Sequence, residues 1–201
     1  EPFLFSNRWS GEMALTKETY QKLYDMLCDV TPLEYDCGIL CDQVCCQGSK
    51  DLGMYLFPGE EELFSMKEDW LKWEAQKVKY YDFPPSWEGT VYFVTCTKPC
   101  PRKMRPLQCR FYPLAPHLLA DGSLLLIYDP AQVPYQCPLI TEKMKLRPEF
   151  VQRVYEAWRI LLEDGKIRDL VKWDSREREG RPDFIPEIVL AEDKDPADPA
   201  G

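Results

Sequence analysis

Nine cysteines constrain what this 201-residue chain can fold into more than any other feature. Four of them fall within residues 37–46 and three more within 96–109. Disulfides mainly stabilise small secreted domains that cannot bury a core, whereas a chain of this length with 45% hydrophobic residues can bury one. Crowded thiolates repel one another unless a cation lies among them. The clustering therefore predicts a metal centre, with a disulfide-stabilised exported protein as an alternative.

Charge and composition exclude several function classes. With 25 Lys and Arg against 34 Asp and Glu, the net charge is −9, opposite in sign to proteins that bind nucleic acid by neutralising phosphates. A single histidine, His117, excludes a Cys2His2 zinc finger and an HExxH metalloprotease. No apolar run approaches the roughly 18 to 20 residues that cross a bilayer, and no signal peptide is recognisable. We therefore expect a cytoplasmic protein with neither a membrane nor a nucleic-acid partner.

Eight of the nine cysteines are the expected metal ligands. Four thiolate sulfurs about 2.3 Å from a zinc ion form a closed tetrahedral site, and iron–sulfur clusters use the same thiolate chemistry. Cys28 is left out because it follows Tyr24 by four residues on the apolar face of a predicted helix. We expect the other sulfurs to converge on one or two adjacent centres. They belong to Cys37, Cys41, Cys45, Cys46, Cys96, Cys100, Cys109 and Cys137.

Five basic side chains crowd the second cysteine group of this acidic chain, at positions 98, 102, 103, 105 and 110. Nearby cations lower thiol pKa values toward the thiolate form that binds metal. They would also offset the negative charge of a site with four thiolates. We expect Arg105 and Arg110 in particular to support the centre through charge or hydrogen bonds. A solvated basic loop and an anion-binding surface are the alternatives.

The hydrophobic pattern predicts a small single α+β domain over residues 1–190, followed by an acidic, flexible tail at 191–201. Five prolines between residues 99 and 116 predict a rigid loop without helix. Short strands and proline-rich loops would converge on the cysteine-ligated centre, and long helices would pack against it. Glu60–Glu62 are interpreted as first-turn charges of a helix. The expected helices span residues 16–30, 60–76, 147–165 and 167–173, and the expected strands 53–57, 78–83, 90–96 and 124–128.

Two segments carry a resemblance to a known family. The first, at 37–46, has closely spaced cysteines that end in the doublet Cys45-Cys46, and the second, at 105–113, is an Arg-Pro-x-x-Cys-Arg-x-x-Pro box. Over residues 37–137 the chain resembles the bacterial YkgJ-type cysteine-cluster family, described as a zinc- or iron-chelating domain. The resemblance implies a metal or iron–sulfur binding domain. Through the same cysteine pattern, it is also similar to flagellin lysine N-methylase-like proteins.

Two classes of function follow from these observations. The first is a metal-binding protein whose iron–sulfur or zinc centre is structural or redox-active. The second is a modifying enzyme, a protein lysine N-methylase-like protein or another oxidoreductase, that uses the same centre. The all-cysteine ligand set favours iron–sulfur, whereas proline-stiffened, closed loops favour zinc. The sequence names no substrate and no protein partner, and it leaves open whether the chain is an enzyme.

Overall fold

The computed structural model describes residues 14–46, 52–131 and 133–191. Within these ranges the chain forms a mixed α+β fold with five helices and two small antiparallel sheets, which confirms the predicted class. The predicted acidic tail lies outside the described residues except for Ala191, which ends a strand. No helix in the described ranges has the length and apolar character needed to span a membrane.

The elements follow one another along the chain with short connections. The helices are α1 (Lys17–Met26), α2 (Leu107–Phe111), α3 (Pro138–Thr141), α4 (Pro148–Leu161) and α5 (Gly165–Glu179). The strands are β1 (Met54–Tyr55), β2 (Leu71–Lys77), β3 (Thr90–Cys96), β4 (Leu114–Leu118), β5 (Leu124–Tyr128) and β6 (Ile188–Ala191). The first sheet has the order β1-β3-β2 and the second the order β4-β5-β6, with antiparallel pairing throughout.

Three of the predicted helices are present. The Thr16 side chain accepts a hydrogen bond from the Thr19 amide and so caps α1, which ends earlier than predicted. Helix α4 begins at Pro148, where the absent N–H group has no partner to lose. Helix α5 is longer than predicted at both ends. It starts earlier because the Asp164 side chain accepts hydrogen bonds from two amides of its first turn.

The predicted helix over residues 60–76 is wrong. One 3-10 turn, Glu60–Leu63, is followed by β2, which pairs with β3 along its whole length from Leu71 to Lys77. Cross-strand pairing therefore outweighs the helical spacing of the apolar residues in this segment. The predicted strand at 78–83 is also wrong, since its first three residues form the 3-10 turn Val78–Tyr80.

The proline-rich segment was expected to contain no helix, and this is wrong as well. Pro106 directly precedes α2, at a position where a missing N–H group costs nothing. Pro116 lies within β4, which is an edge strand of the second sheet and therefore tolerates proline. The prolines flank the helix and occupy a sheet edge, so they bound the elements without preventing them.

Helix α2 is fixed to the core through aromatic packing. Phe111 at its end is buried, and its ring lies 4.9 Å from the ring of Trp158 on α4. Phe57, which follows β1, contacts the same tryptophan at 5.6 Å. Leu107 at the start of α2 is also fully buried. The long helix α4 therefore supports the short helix that carries Cys109.

Candidate metal centre

The structure brings the two cysteine groups together. The side chain of Cys46, at the end of the first group, lies within hydrogen-bonding range of Cys100, in the turn after β3. Cys96, at the end of β3, and Cys109, on α2, lie within electrostatic range of Cys100. The two groups therefore approach each other at Cys46 and Cys100.

Five of the eight cysteines line one small cavity of about 40 Å³ beside Arg105. They are Cys37, Cys41, Cys45, Cys46 and Cys137. Tyr112, Tyr135 and the apolar side chains of Leu40 and Leu139 complete the wall. A cavity of this size has room for only a few atoms.

The half-buried guanidinium of Arg105 lies among the cysteines. Arg105 donates a hydrogen bond from Nε to Cys100 Sγ at 3.4 Å. Burial alone would lower its pKa, but the cysteines around it raise the pKa above the ordinary value, so Arg105 carries a positive charge. Four further thiols lie within electrostatic range of it, those of Cys37, Cys46, Cys96 and Cys109.

Arg105 lowers the pKa of the thiols around it, as expected from the sequence, but burial raises the pKa by more. Burial raises the pKa of Cys96 to about 11, and burial together with neighbouring thiols raises that of Cys109 further. The hydrogen bond from Cys100 lowers the pKa of Cys46, but Cys45 and burial raise it to about 11. Burial and crowding therefore outweigh Arg105, and these thiols keep their protons at neutral pH.

Two sulfur–sulfur contacts are present at the site, one between two thiols and one between a thiol and a methionine. Cys45 Sγ and Cys46 Sγ are 3.8 Å apart, and Cys109 Sγ lies 3.0 Å from Met54 Sδ. All nine cysteines are free. In the described part of the chain, no group of three or more His, Cys, Asp or Glu side chains is arranged to hold a metal ion. The donor set is nevertheless suitable in its chemistry, because thiolate sulfur is a ligand for both zinc and iron–sulfur clusters.

The loop that carries the first cysteines reverses direction sharply. Asp36 caps the 3-10 turn Cys37–Leu40 by accepting a hydrogen bond from the Gly38 amide at 2.9 Å. Asp42 and Gln43 adopt left-handed backbone with φ of 50° and 55°, and the Gln43 amide bonds to the Gly38 carbonyl at 2.9 Å. A Cβ atom at Gly38 would lie 2.6 Å from Gln43 Cγ, so this reversal requires glycine there.

Arg110 acts on the backbone, in contrast to Arg105. Its guanidinium donates to the carbonyls of Arg105 at 2.6 Å, Lys103 at 2.9 Å and Arg102 at 3.2 Å. It also lies 4.4 Å above the ring of Tyr24 and bonds to the carbonyl of that residue. Arg110 therefore fixes the turn from which Arg105 reaches the cysteines.

Sequence reasoning missed the role of Glu60. Its carboxylate is fully buried and accepts hydrogen bonds from Tyr24 Oη at 2.7 Å, the Leu107 amide at 2.9 Å and the Phe57 amide at 3.0 Å. Burial raises its pKa, and the three hydrogen bonds oppose that shift. Glu60 thereby joins α1 to the start of α2. No sequence signal distinguishes it from the two glutamates that follow.

Two residues outside the expected ligand set have defined places. Cys28 lies beside Arg110 and lines a second cavity, of about 30 Å³, together with Cys37 and Cys109. Cys28 lies beyond the end of α1, not on its apolar face as predicted, and it is nearer the site than expected. His117 is buried in β4 of the second sheet, with Nε2 at 3.2 Å from Glu179 Oε1.

The chain matches no protein-family model, no curated protein and no solved structure. The resemblance to the YkgJ-type family therefore stays a prediction.

Proposed function

We propose that the chain binds metal through its clustered cysteines, as an iron–sulfur or zinc protein. The observation that carries this proposal is the convergence of thiols around Arg105 from separate parts of the chain. They come from the loop at 37–46, the end of β3 and the turn after it, helix α2, and the residue before α3. Thiols scattered over the fold would not converge on one guanidinium group.

Metal binding gives these thiols a role that simple burial does not. Their raised pKa values mean that, without metal, charge on the sulfurs is unfavourable at this site. A metal displaces the protons and supplies the countercharge that Arg105 alone does not provide. Because the thiols come from distant segments, the free energy of binding also stabilises the fold.

We favour an iron–sulfur cluster over a single zinc ion. Iron–sulfur clusters are held by cysteine thiolates, and the eight candidate ligands are all cysteines in a chain with a single histidine, whereas zinc sites often include histidine. The positive charge of Arg105 offsets the net negative charge of such a cluster. The nine free thiols support placing the protein in a reducing compartment, the cytoplasm.

We propose a structural or redox role for the centre in preference to a modifying enzyme. The two cavities at the cysteines measure about 30 and 40 Å³. Pockets that hold a small-molecule substrate or cofactor usually measure roughly 300 to 1,000 Å³. Substrate pockets are usually formed before the substrate binds, whereas cysteine ligands close around a metal as it binds. The small cavities therefore count against a bound substrate and methyl donor more than against a metal centre.

The test is metal analysis of protein purified without oxygen from iron-replete cells, together with an absorption spectrum. We expect bound iron with sulfide, and loss of at least half of it in Cys46→Ser and in Cys100→Ser. Cys28→Ser is the matched control and should retain the metal. Colourless protein with stoichiometric zinc would replace iron by zinc in the proposal. Protein that is metal-free, and that reconstitution with neither iron and sulfide nor zinc loads, would overturn it.

A further inference from the structure

Strand β2 forms an open edge of the first sheet. The sheet has the order β1-β3-β2, so one side of β2 pairs with β3, and no strand of the described residues pairs with the other side. The Thr97 amide bonds to the Trp70 carbonyl, and the Val78 amide bonds to the Gly89 carbonyl. These two bonds fix the alternation along β2. Its even-numbered residues point their backbone N–H and C=O groups toward β3, and its odd-numbered residues point them outward.

The outward backbone groups of this edge are available for pairing. Within the described ranges, no other backbone group bonds to the amide or the carbonyl of Trp73, Ala75 or Lys77. The edge runs over the seven residues Leu71–Lys77. Proteins commonly shorten or cover the edges of their sheets, because an open edge accepts a further strand through backbone hydrogen bonds. An uncovered edge of this length is therefore a candidate interaction surface.

The charged side chains of β2 are placed symmetrically about one residue. Lys72 and Glu74 are exposed, and they lie on either side of the half-buried Trp73. Neither takes part in an ion pair within the described ranges, and Glu74 accepts one hydrogen bond, from Gln76 Nε2 at 2.8 Å. When two identical strands pair antiparallel about a two-fold axis at Trp73, Lys72 of each strand faces Glu74 of the other. The edge is therefore complementary in charge to a second copy of itself.

We propose that β2 pairs antiparallel with β2 of a second copy of this chain, with the two-fold axis at Trp73. The amides of Trp73 and Ala75 then donate to the carbonyls of Trp73 and Leu71 of the second copy, and the two three-stranded sheets become one six-stranded sheet.

The charges select this register over its neighbours. An axis at Glu74 would place two glutamates directly opposite each other, which destabilises a strand pair. An axis at Ala75 would leave Lys72 and Glu74 without an opposite charge across the pair. Only the axis at Trp73 gives both copies a lysine facing a glutamate. This dimer does not depend on metal binding, because β2 carries no cysteine.

The experiment measures the dissociation constant of the dimer by sedimentation velocity of the full chain in excess reductant, which excludes intermolecular disulfides. We expect Lys72→Glu to raise the dissociation constant about tenfold or more, because it sets like charges opposite each other at two places. Adding Glu74→Lys to that variant recreates both ion pairs and should restore the unaltered value. Lys172→Glu is the matched control, since it makes the same charge change at an exposed position of α5.

A second variant tests the backbone pairing directly. Ala75→Pro removes one outward amide, and an edge strand tolerates proline where the nitrogen faces its open side. It should therefore remain folded by circular dichroism and be monomeric. If it did not fold, the charge variants would decide the question.

Three outcomes would overturn the inference and leave metal binding intact. The first is an unaltered chain that stays monomeric over about a hundredfold range of concentration, in which a weak interface would reveal itself. The second is a dimer whose dissociation constant is equal in Lys72→Glu and Lys172→Glu, because the copies would then meet at another surface. The third is a charge exchange that fails to restore the dimer, which would exclude the axis at Trp73.

Discussion

At the scale of single residues, the cysteines of the site have one feature in common, which is their proximity to the positive charge of Arg105. It is the residue that bonds directly to a sulfur, whereas Arg110 bonds to the carbonyls of the turn that holds it. The sequence predicted support from both arginines without separating the two roles. Their difference lies in where each side chain ends, which depends on tertiary packing.

Replacing Arg105 tests its role at the centre. Arg105→Ala should lower metal affinity about tenfold or more, since residues that bond to ligands typically contribute that much. Lys103→Ala is the control, because Lys103 is exposed and bonds to Arg110 through its backbone carbonyl. Competition with a chromophoric chelator measures the affinity. Equal affinity and an unchanged spectrum in Arg105→Ala would indicate that the basic stretch is only a solvated loop with no role at the centre.

His117 should make the fold less stable in mild acid. Burial lowers its pKa, and Arg178 lowers it further while Glu179 partly opposes the shift. In the unfolded chain the His117 imidazole therefore binds a proton near pH 6.5, whereas in the folded chain it does so only at lower pH. Stability is full above that pH and decreases below it, by about 1.4 kcal/mol for each unit of pKa difference.

His117→Gln isolates this effect, because glutamine can donate to Glu179 and does not titrate. Urea unfolding of both proteins at pH 7.5 and pH 5.5 gives the comparison. The unaltered chain should lose more stability between the two pH values than the variant does. Parallel losses would show that other groups cause the acid sensitivity.

At the scale of elements, the five-residue helix α2 is stabilised by contacts with other parts of the fold. Glu60 accepts the amide of Leu107 at its start, and Phe111 at its end packs on α4. Such a short helix gains little from its own hydrogen bonds, so its stability comes from these contacts. Cys109 consequently sits on a fixed support.

Glu60→Gln should destabilise the fold by about 1–3 kcal/mol, because an amide nitrogen would then face a buried donor that now has an acceptor. Glu62→Gln is the matched control on the same turn, and its side chain is exposed. The control should change the free energy of unfolding by less than about 0.5 kcal/mol. Urea titration followed by circular dichroism measures both. Similar stabilities for the two variants would contradict the role given to Glu60.

Elements with a repeated local pattern were predictable from the sequence. Helices α1 and α4 carry a cap or an initial proline and an apolar face, and β3 and β5 are compact apolar strands. Strand β2 was not predictable, because the spacing of Trp70 and Trp73 fits a helix and because the pairing of β2 with β3 is a long-range contact. The prediction that residues 99–116 contain no helix failed for a related reason. The number of prolines in a segment does not indicate on which side of each proline a helix can form.

At the scale of the whole molecule, the grouping of the cysteines along the chain predicted that they would lie near one another, and it carried no information about their surroundings. Glu60 comes from a position with no distinguishing pattern, so its role required coordinates. The proximity of Cys28 to the site was missed because the helix expected over residues 16–30 ends at Met26, and Cys28 lies in the turn that follows.

Metal loading should protect eight cysteines from alkylation and leave one reactive. Counting iodoacetamide adducts by mass spectrometry gives nine in unfolded protein, and we expect one, on Cys28, after loading. The loaded protein should also melt at a higher temperature, because binding to the folded state alone stabilises it. Modification of Cys96 or Cys109 in loaded protein would count against their assignment as ligands.

The left-handed turn at Asp42 and Gln43 gives the first cysteines a less stable support than the turn that Arg110 fastens, because left-handed backbone costs a non-glycine residue roughly 1–2 kcal/mol. We expect the sulfurs of β3 and α2 to hold their positions more firmly than those of the loop at 37–46. We expect an incoming ion to meet the fixed sulfurs first and to be enclosed last by the loop. The residence time of the ion is then set by how often residues 41–45 open.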